Sequence, residues 1–124
     1  LADHAYPVSQ LTSDDDGKTA TIGGTITEIK LITTKNGMQM AFARLEDVTG
    51  EIEVIVFPSL LKDHAGAWQR DQVIKLSGRI SGKDKGGSAL LSPKFIAETA
   101  EVIDHKLAEN YEPTNKKIKL EKLK

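Results

Sequence analysis

The stretch Lys35 to Pro58, KNGMQMAFARLEDVTGEIEVIVFP, decides the fold, because it spells a β-hairpin whose two strands carry unequal faces. Successive side chains of a strand point to opposite sides of the pleat, so Ala41, Ala43 and Leu45 share one face and Met40, Phe42 and Arg44 the other. Asp47-Val48-Thr49-Gly50 supplies a polar turn ending in a glycine that tolerates positive φ. The second strand then sets Ile52, Val54 and Val56 on its inner face and stops at Pro58. Small aliphatic side chains suit the inside of a narrow barrel. An aromatic ring beside a guanidinium on the outer side offers stacking and charge neutralisation, the two things a single nucleic-acid strand needs from a protein.

Outward from this hairpin the chain reads as a lead-in over residues 1–17, an all-β unit over 18–104 and, over 105–124, a lysine-rich tail or the start of a following domain. The lead-in ends in Asp14-Asp15-Asp16-Gly17, a solvated breaker, and is expected to be flexible. A long β-rich run follows from Lys18 to Thr34, with Ile22, Ile26, Ile29 and Leu31 as its apolar positions. Their parity changes between Ile26 and Ile29, and Gly23-Gly24 stands near the start. Both features predict a bent or bulged strand that serves two sheets. Lys35-Asn36-Gly37 makes the first turn. Ser59 to Trp68 reads as helical, with Leu60, Leu61 and Trp68 closing one end of the barrel. Val73, Leu76 and Ile80 mark a fourth strand around Gly78. The loop from Gly82 to Ser88, GKDKGGS, leads into a fifth strand from Ala89 towards Val102, with a break expected near Pro93.

Composition narrows the classes of function. At 124 residues the chain is large enough for one domain with a self-sufficient core, and it contains no cysteine, which excludes disulfides and thiolate chemistry and suits a reducing cytoplasm. No apolar run approaches the roughly 18 residues of a membrane span, so no membrane association is expected. Net charge is −1, unlike that of a strong nucleic-acid binder, but it is unevenly distributed. Residues 1–17 carry −4, residues 106–124 carry +3, and the middle balances at zero. Strand binding by the middle must therefore come from local asymmetry and stacking, and should be weak.

Three strands, a helix and two strands is the order of the five-stranded Greek-key barrel called the OB-fold, with its helix between strands three and four, while periodicity alone also fits an SH3-like barrel or an open sandwich. The residues add weight. The run Gly23, Ile26 and Ile29, then Lys35, Gly37, Met40-Ala41-Phe42, Leu45-Glu46-Asp47, Thr49-Gly50, Ile52, Val54, Val56 and Phe57-Pro58, closely resembles the OB domain near the C-terminal end of bacterial replicative DNA polymerase III alpha subunits. Leu1-Ala2-Asp3-His4 resembles the Ser-Gly-His-Pro run ahead of that domain, with Ala5 where the family usually has proline. The resemblance covers roughly residues 1–104. It implies an accessory domain that contacts single-stranded template in DNA replication and carries no chemistry of its own; the parent is a DNA-directed DNA polymerase whose metal-binding aspartates lie elsewhere. Other subunits of the holoenzyme would be met through neighbouring domains, and the isolated domain is expected to be a monomer. A looser Phe-x-x-Leu-x-Asp pattern links the hairpin to the anticodon-binding domains of aspartyl and lysyl tRNA synthetases, which keeps RNA as an alternative ligand. A structural, protein-docking barrel is the other.

The candidate binding residues are Phe42, Arg44, Lys30, Lys35, Lys75, Arg79, Lys83 and Lys85. Phe42 either stacks on a base or is turned by barrel coiling into a core contact. Arg44 either meets the strand or pairs with Glu53 across the hairpin. Lys30 and Lys35 flank the β1–β2 loop, Lys83 and Lys85 the loop before the fifth strand, the two loops that rim an OB groove. Lys75 and Arg79 on the fourth strand could extend the path, while Glu46, Asp47, Glu51 and Glu53 oppose it unless they point away or order the turn. His4, His64 and His105 lack ligand spacing, and Gly86-Gly87 lacks the lysine and hydroxyl of a phosphate loop. No catalytic residue, metal or cofactor is expected. The tail is too poor in apolar residues to share the core, so deleting residues 113–124 should leave the melting temperature nearly unchanged. A large drop in a thermal melt would show that the tail packs.

Overall fold

The computed structural model describes residues 5–103. The Leu1–His4 resemblance, His105 and the lysine-rich tail lie outside the described residues. Five strands form a closed barrel: β1 (Thr19–Thr33), β2 (Gln39–Asp47), β3 (Gly50–Val56), β4 (Val73–Lys83) and β5 (Ala89–Val102), in the spatial order β1-β2-β3-β5-β4. All ladders are antiparallel except the short β3–β5 pairing, Glu53 opposite Lys94 to Val56 opposite Ala97, which is parallel and closes the barrel. A single short α-helix, α1 (Pro58–Asp63), lies between β3 and β4. This is the OB-fold order expected from the sequence. No helix among the described residues is long and apolar enough to cross a membrane.

The long first strand serves two ladders, as its parity change predicts. Thr19 to Thr25 pair with β4 and Thr25 to Thr33 with β2, and the register slips between Ile26 and Glu28, leaving Thr27 as the extra residue of a bulge. Ile22 and Ile26 point inward before it, and Ile29, opposite Ala43, after it. Gly24 sits where β1 turns from one ladder to the other; a Cβ there would collide with the backbone carbonyl of Glu46. At the β1–β2 turn Gly37 takes φ of +80° and its N–H donates to the Thr34 carbonyl at 2.9 Å.

The inner faces of β2 and β3 fall as the alternation requires, with Ala41, Ala43, Leu45, Ile52, Val54 and Val56 all buried. Phe95 of β5 is fully buried among them, and Leu76 and Ile74 come from β4. Each such aliphatic or aromatic side chain contributes about 1.5–3 kcal/mol on burial. Leu60, Leu61 and Trp68 close one end. The helix is shorter than the Ser59–Trp68 expected: it stops at Asp63, His64 leaves helical geometry with ψ of 45°, and a 3-10 turn over Ala65–Ala67 takes Trp68 inward. Gly66 in this segment lowers its helical propensity. β5 runs through Pro93 unbroken. There the β4–β5 register shifts and the β3 ladder has not begun, so the missing proline N–H interrupts neither recorded pairing.

The lead-in departs from expectation, because over residues 5–17 it is docked rather than free. A 3-10 turn at Val8–Gln10 and its capping residue bring Val8 and Leu11, three apart, to one side, and both are buried against the other end of the barrel. Its backbone is held across the chain: Val8 N–H donates to Asp47 Oδ2 at 2.9 Å and Ser9 N–H to Thr49 Oγ1 at 3.1 Å. The Ser13 hydroxyl donates to the Leu90 carbonyl, and the Gly82 N–H donates to Asp16 Oδ1 at 2.8 Å. The aspartates that mark this segment as a solvated breaker act here as acceptors. The Thr12 backbone N–H, with Lys18 behind it, holds the Asp15 carboxyl below its ordinary value. A lowered carboxylate pKa stabilises the fold at neutral pH, and that contribution is lost as the pH falls through the lowered value.

Burial of Leu11 makes the lead-in part of the folding unit. Leu11→Ala should cost about 2–5 kcal/mol in chemical denaturation, whereas Leu91→Ala, at a fully exposed leucine, should stay within about 0.5 kcal/mol of the parent. Equal stabilities for the two variants would show that the lead-in adds nothing.

Candidate nucleic-acid interface

Because β2 places its small residues inward, its large ones must face out. Phe42 lies on the outer face, half-buried, between Lys30 of β1 on one side and Ile55 of β3 on the other. Ile55 stands in turn opposite Ile96 of β5, and one step towards the β1–β2 turn Ile32 stands opposite Met40. These apolar side chains form a half-buried strip across four strands, with Phe42 at its centre and Lys30 beside it. Inward space at this level is taken by Ala41 and Ala43, so the alternative of Phe42 as a core contact is not what the barrel builds.

The neighbouring row is charged and internally balanced. It runs Glu28, Arg44, Glu53, Lys94 across β1, β2, β3 and β5. Arg44 Nε lies 3.7 Å from Glu28 Oε1 and 3.6 Å from Glu51 Oε1, while Lys94 Nζ lies 3.7 Å from Glu53 Oε2. Glu53 is thus the register partner of Arg44, as expected, but its ion pair goes to β5. Such half-exposed pairs contribute about 0–1 kcal/mol each, so a stronger anion could displace them.

The remaining candidates divide by partner. Lys75 pairs with Glu101 at 3.5 Å and Arg79 Nε with Glu98 Oε2 at 2.7 Å, both across the β4–β5 ladder. β4 adjoins β1 and β5 and never β2 or β3; Arg79 stands opposite Ile96, at the β5 edge of the strip but held by Glu98, while Lys75, opposite Glu101, lies further along β4 and is not brought together with Phe42. Lys30, Lys35, Lys83 and Lys85, in contrast, make no ion pair among the described residues. β5 runs parallel to β3, so the loop that carries Lys83 and Lys85 into β5 lies at the end where β3 begins, and the β1–β2 turn with Lys35 lies where β3 finishes. Lys35 on one side and Lys83 and Lys85 on the other therefore bracket the β2–β3 wall from opposite ends, while Lys30 stands inside β1 opposite Phe42 and does not flank the β1–β2 loop. The second loop is ordered by Asp84, whose Oδ1 accepts from the N–H groups of Gly86 at 2.9 Å and Ser88 at 3.0 Å.

Asp47 does not oppose the lysines, because its carboxylate is consumed locally. Oδ1 accepts from Thr49 N–H at 2.7 Å, Gly50 N–H at 3.0 Å and the Thr49 hydroxyl at 2.6 Å, and Oδ2 from Val8 N–H. Sequence reasoning missed Ile55 and Ile96 as outer-face residues, although the alternation of Glu51-Ile52-Glu53-Val54-Ile55-Val56 carried the signal for the first. Glu28 and Lys94 were missed because only the register shows what they face. Among the described residues no group of three His, Cys, Asp or Glu is placed to hold a metal ion.

The comparisons with known proteins agree with the barrel topology. A family model described as an OB-fold nucleic acid binding domain matches residues 20–103. The DNA polymerase III alpha subunit of Aquifex aeolicus is 38% identical over 78 residues, 63% of this chain and 7% of that protein. The alpha subunit of Treponema pallidum is 34% identical over 83 residues, 67% of this chain and 6% of that protein. The chain thus spans less than a tenth of the length of the relatives it matches, and the resemblance read from Gly23 to Pro58 is to one region of them. Among solved structures, asparaginyl-tRNA synthetase from Pyrococcus horikoshii superposes with a TM-score of 0.62 at 16% identity, over 90% of this chain and 27% of that one, a likeness of fold alone. By sequence match and by barrel topology, the chain belongs to the OB-fold nucleic acid binding domain family.

Proposed function

We propose that this OB domain binds single-stranded DNA without strong sequence readout, as the template-contacting module of a bacterial DNA polymerase III alpha-type subunit working in the cytoplasm. The observation that carries the reading is the half-buried apolar strip centred on Phe42, with Lys30 beside it and Lys35, Lys83 and Lys85 towards its two ends, none of them in an ion pair among the described residues. Bases stack on the strip, which has no directional hydrogen bonds to prefer one over another. Lys30, Lys35, Lys83 and Lys85 meet phosphates, and Arg44 exchanges its loose carboxylates for one. The role is binding, and nucleotide transfer belongs to other parts of such a polymerase; holoenzyme partners would be contacted through neighbouring domains. Arg79, paired with Glu98 beside Ile96, and Lys75, paired with Glu101 further along β4, are left as minor contributors. RNA is the second reading, since the fold neighbours include tRNA synthetases. Chemical-shift mapping with matched DNA and RNA oligomers decides between them, and a lack of response to either would favour a protein-docking barrel.

Two outcomes are expected. Affinity should be micromolar or weaker and fall with rising salt, with a shallow log–log slope set by few phosphate contacts, about 0.7 per contact for single strands; binding unchanged by salt would remove the lysines from the site. Phe42→Ala should weaken oligothymidine binding by roughly one stacked base, about 1–3 kcal/mol, while losing less stability than Phe95→Ala, where truncation of a fully buried ring costs about 3–5 kcal/mol. Denaturation and affinity measured on both variants check this. A Phe42→Ala protein that unfolds yet keeps its intrinsic affinity would reverse the assignment.

A further inference from the structure

Beside the apolar strip, at the end where the lead-in docks, the β3–β5 pairing has not yet begun. Residues before Glu53 on β3 and before Lys94 on β5 are splayed apart. The turn at Val8–Gln10 lies against the gap, and the three segments enclose a cleft of about 430 Å³. This falls near the lower end of the roughly 300–1,000 Å³ of small-molecule sites, with room for one nucleotide unit. Its apolar lining comes from Val8, Leu11, Ile52 and Pro93.

The charges of this cleft set what it can hold. Arg44, Glu51, Glu53 and Lys94 line it as two ion pairs, so its formal charge is zero and a phosphate enters only by displacing a carboxylate from its cation. The pair distances of 3.6 and 3.7 Å are close enough for neutralisation but beyond hydrogen-bonding range. The carboxylate lone pairs and the cation N–H groups are therefore still open to a ligand. A neutral, flat group with donors and acceptors along its edge fits this lining, and carboxylates select an edge that donates, as they do with the amino group of cytosine.

We propose that this cleft takes one nucleobase of the bound strand, and that Glu51 and Glu53 favour a base with an exocyclic amino group over thymine or uracil. The inference rests on the single-strand reading above and adds one position of base preference to an otherwise indifferent surface. It also gives the docked lead-in a part in the site, as one wall of the cleft.

The test compares oligodeoxycytidine and oligothymidine of equal length, at mildly alkaline pH, with the full chain and its Glu51→Gln/Glu53→Gln variant, followed by titration and amide chemical shifts. The expected result is several-fold tighter binding of oligodeoxycytidine, with shifts at Ser9, Ser92 and Lys94, and loss of that preference in the variant while oligothymidine affinity is kept or raised. Equal affinity for the two oligomers overturns the base preference. Unmoved cleft amides, with shifts around Phe42 and Ile55 intact, overturn the cleft as a site and leave the strand-binding reading standing. Absence of shifts at both places overturns the strand-binding reading itself.

Discussion

Closing only five strands into a barrel leaves little interior space, and that constraint shapes every wall. Where two backbones converge, side chains must shrink: Ala41, Ala43 and Ala97 point inward, and at Gly78 even a Cβ would collide with the carbonyl of Ile96. The larger residues, Phe95, Ile22, Ile26 and Leu76, fill the volume that remains. A core this small cannot seal its own ends. The seals come from outside the strands, from Trp68, Leu60 and Leu61 at one end and from Val8 and Leu11 at the other.

The outer surface follows from the same constraint. Strand alternation is binary, so committing the small residues of β2 to the interior commits Met40, Phe42 and Arg44 to solvent. β3 answers with Ile55 and Glu53 at the same levels and β5 with Ile96 and Lys94. One row is therefore apolar and the next charged, each crossing several strands although no two of its members are neighbours in sequence. The binding surface is a by-product of how the barrel closes. Altering the register by one residue would bury Phe42 and expose Ala41.

How much of this could be read in the sequence depended on how local its cause was. The β2–β3 hairpin was legible because alternation and turn chemistry act within a few residues, and the bulge in β1 because it leaves a parity change between Ile26 and Ile29. The docking of the lead-in was not. Val8 and Leu11 are only two aliphatics among polar residues, and their burial depends on Asp47 and Thr49 lying about forty positions along the chain. The candidate cations show the same limit. All seven looked alike as charges on strands or loops, and only the register revealed that Arg44, Lys75 and Arg79 each face a carboxylate. Phe95 went unremarked because the segment before it, Leu90-Leu91-Ser92-Pro93, has no clean alternation to fix which side is in.

That division between paired and unpaired cations has a physical logic. On the strands a cation sits within one 4.8 Å strand spacing of its neighbours, and a carboxylate opposite it removes the like-charge repulsion that packed rows would otherwise carry. Arg44, with Lys30 on the adjoining strand one row away, is held by two such carboxylates. The hairpin tips have no cross-strand neighbour to crowd, so Lys35 and Lys85 stay unpaired at little electrostatic cost. On the proposed reading a polyanion meets free charge at the two ends of the wall and at Lys30, with apolar surface between them. Its phosphates would be drawn to these lysines and its bases left over the strip, an order in which a flexible single strand can be laid down and a stiff duplex cannot.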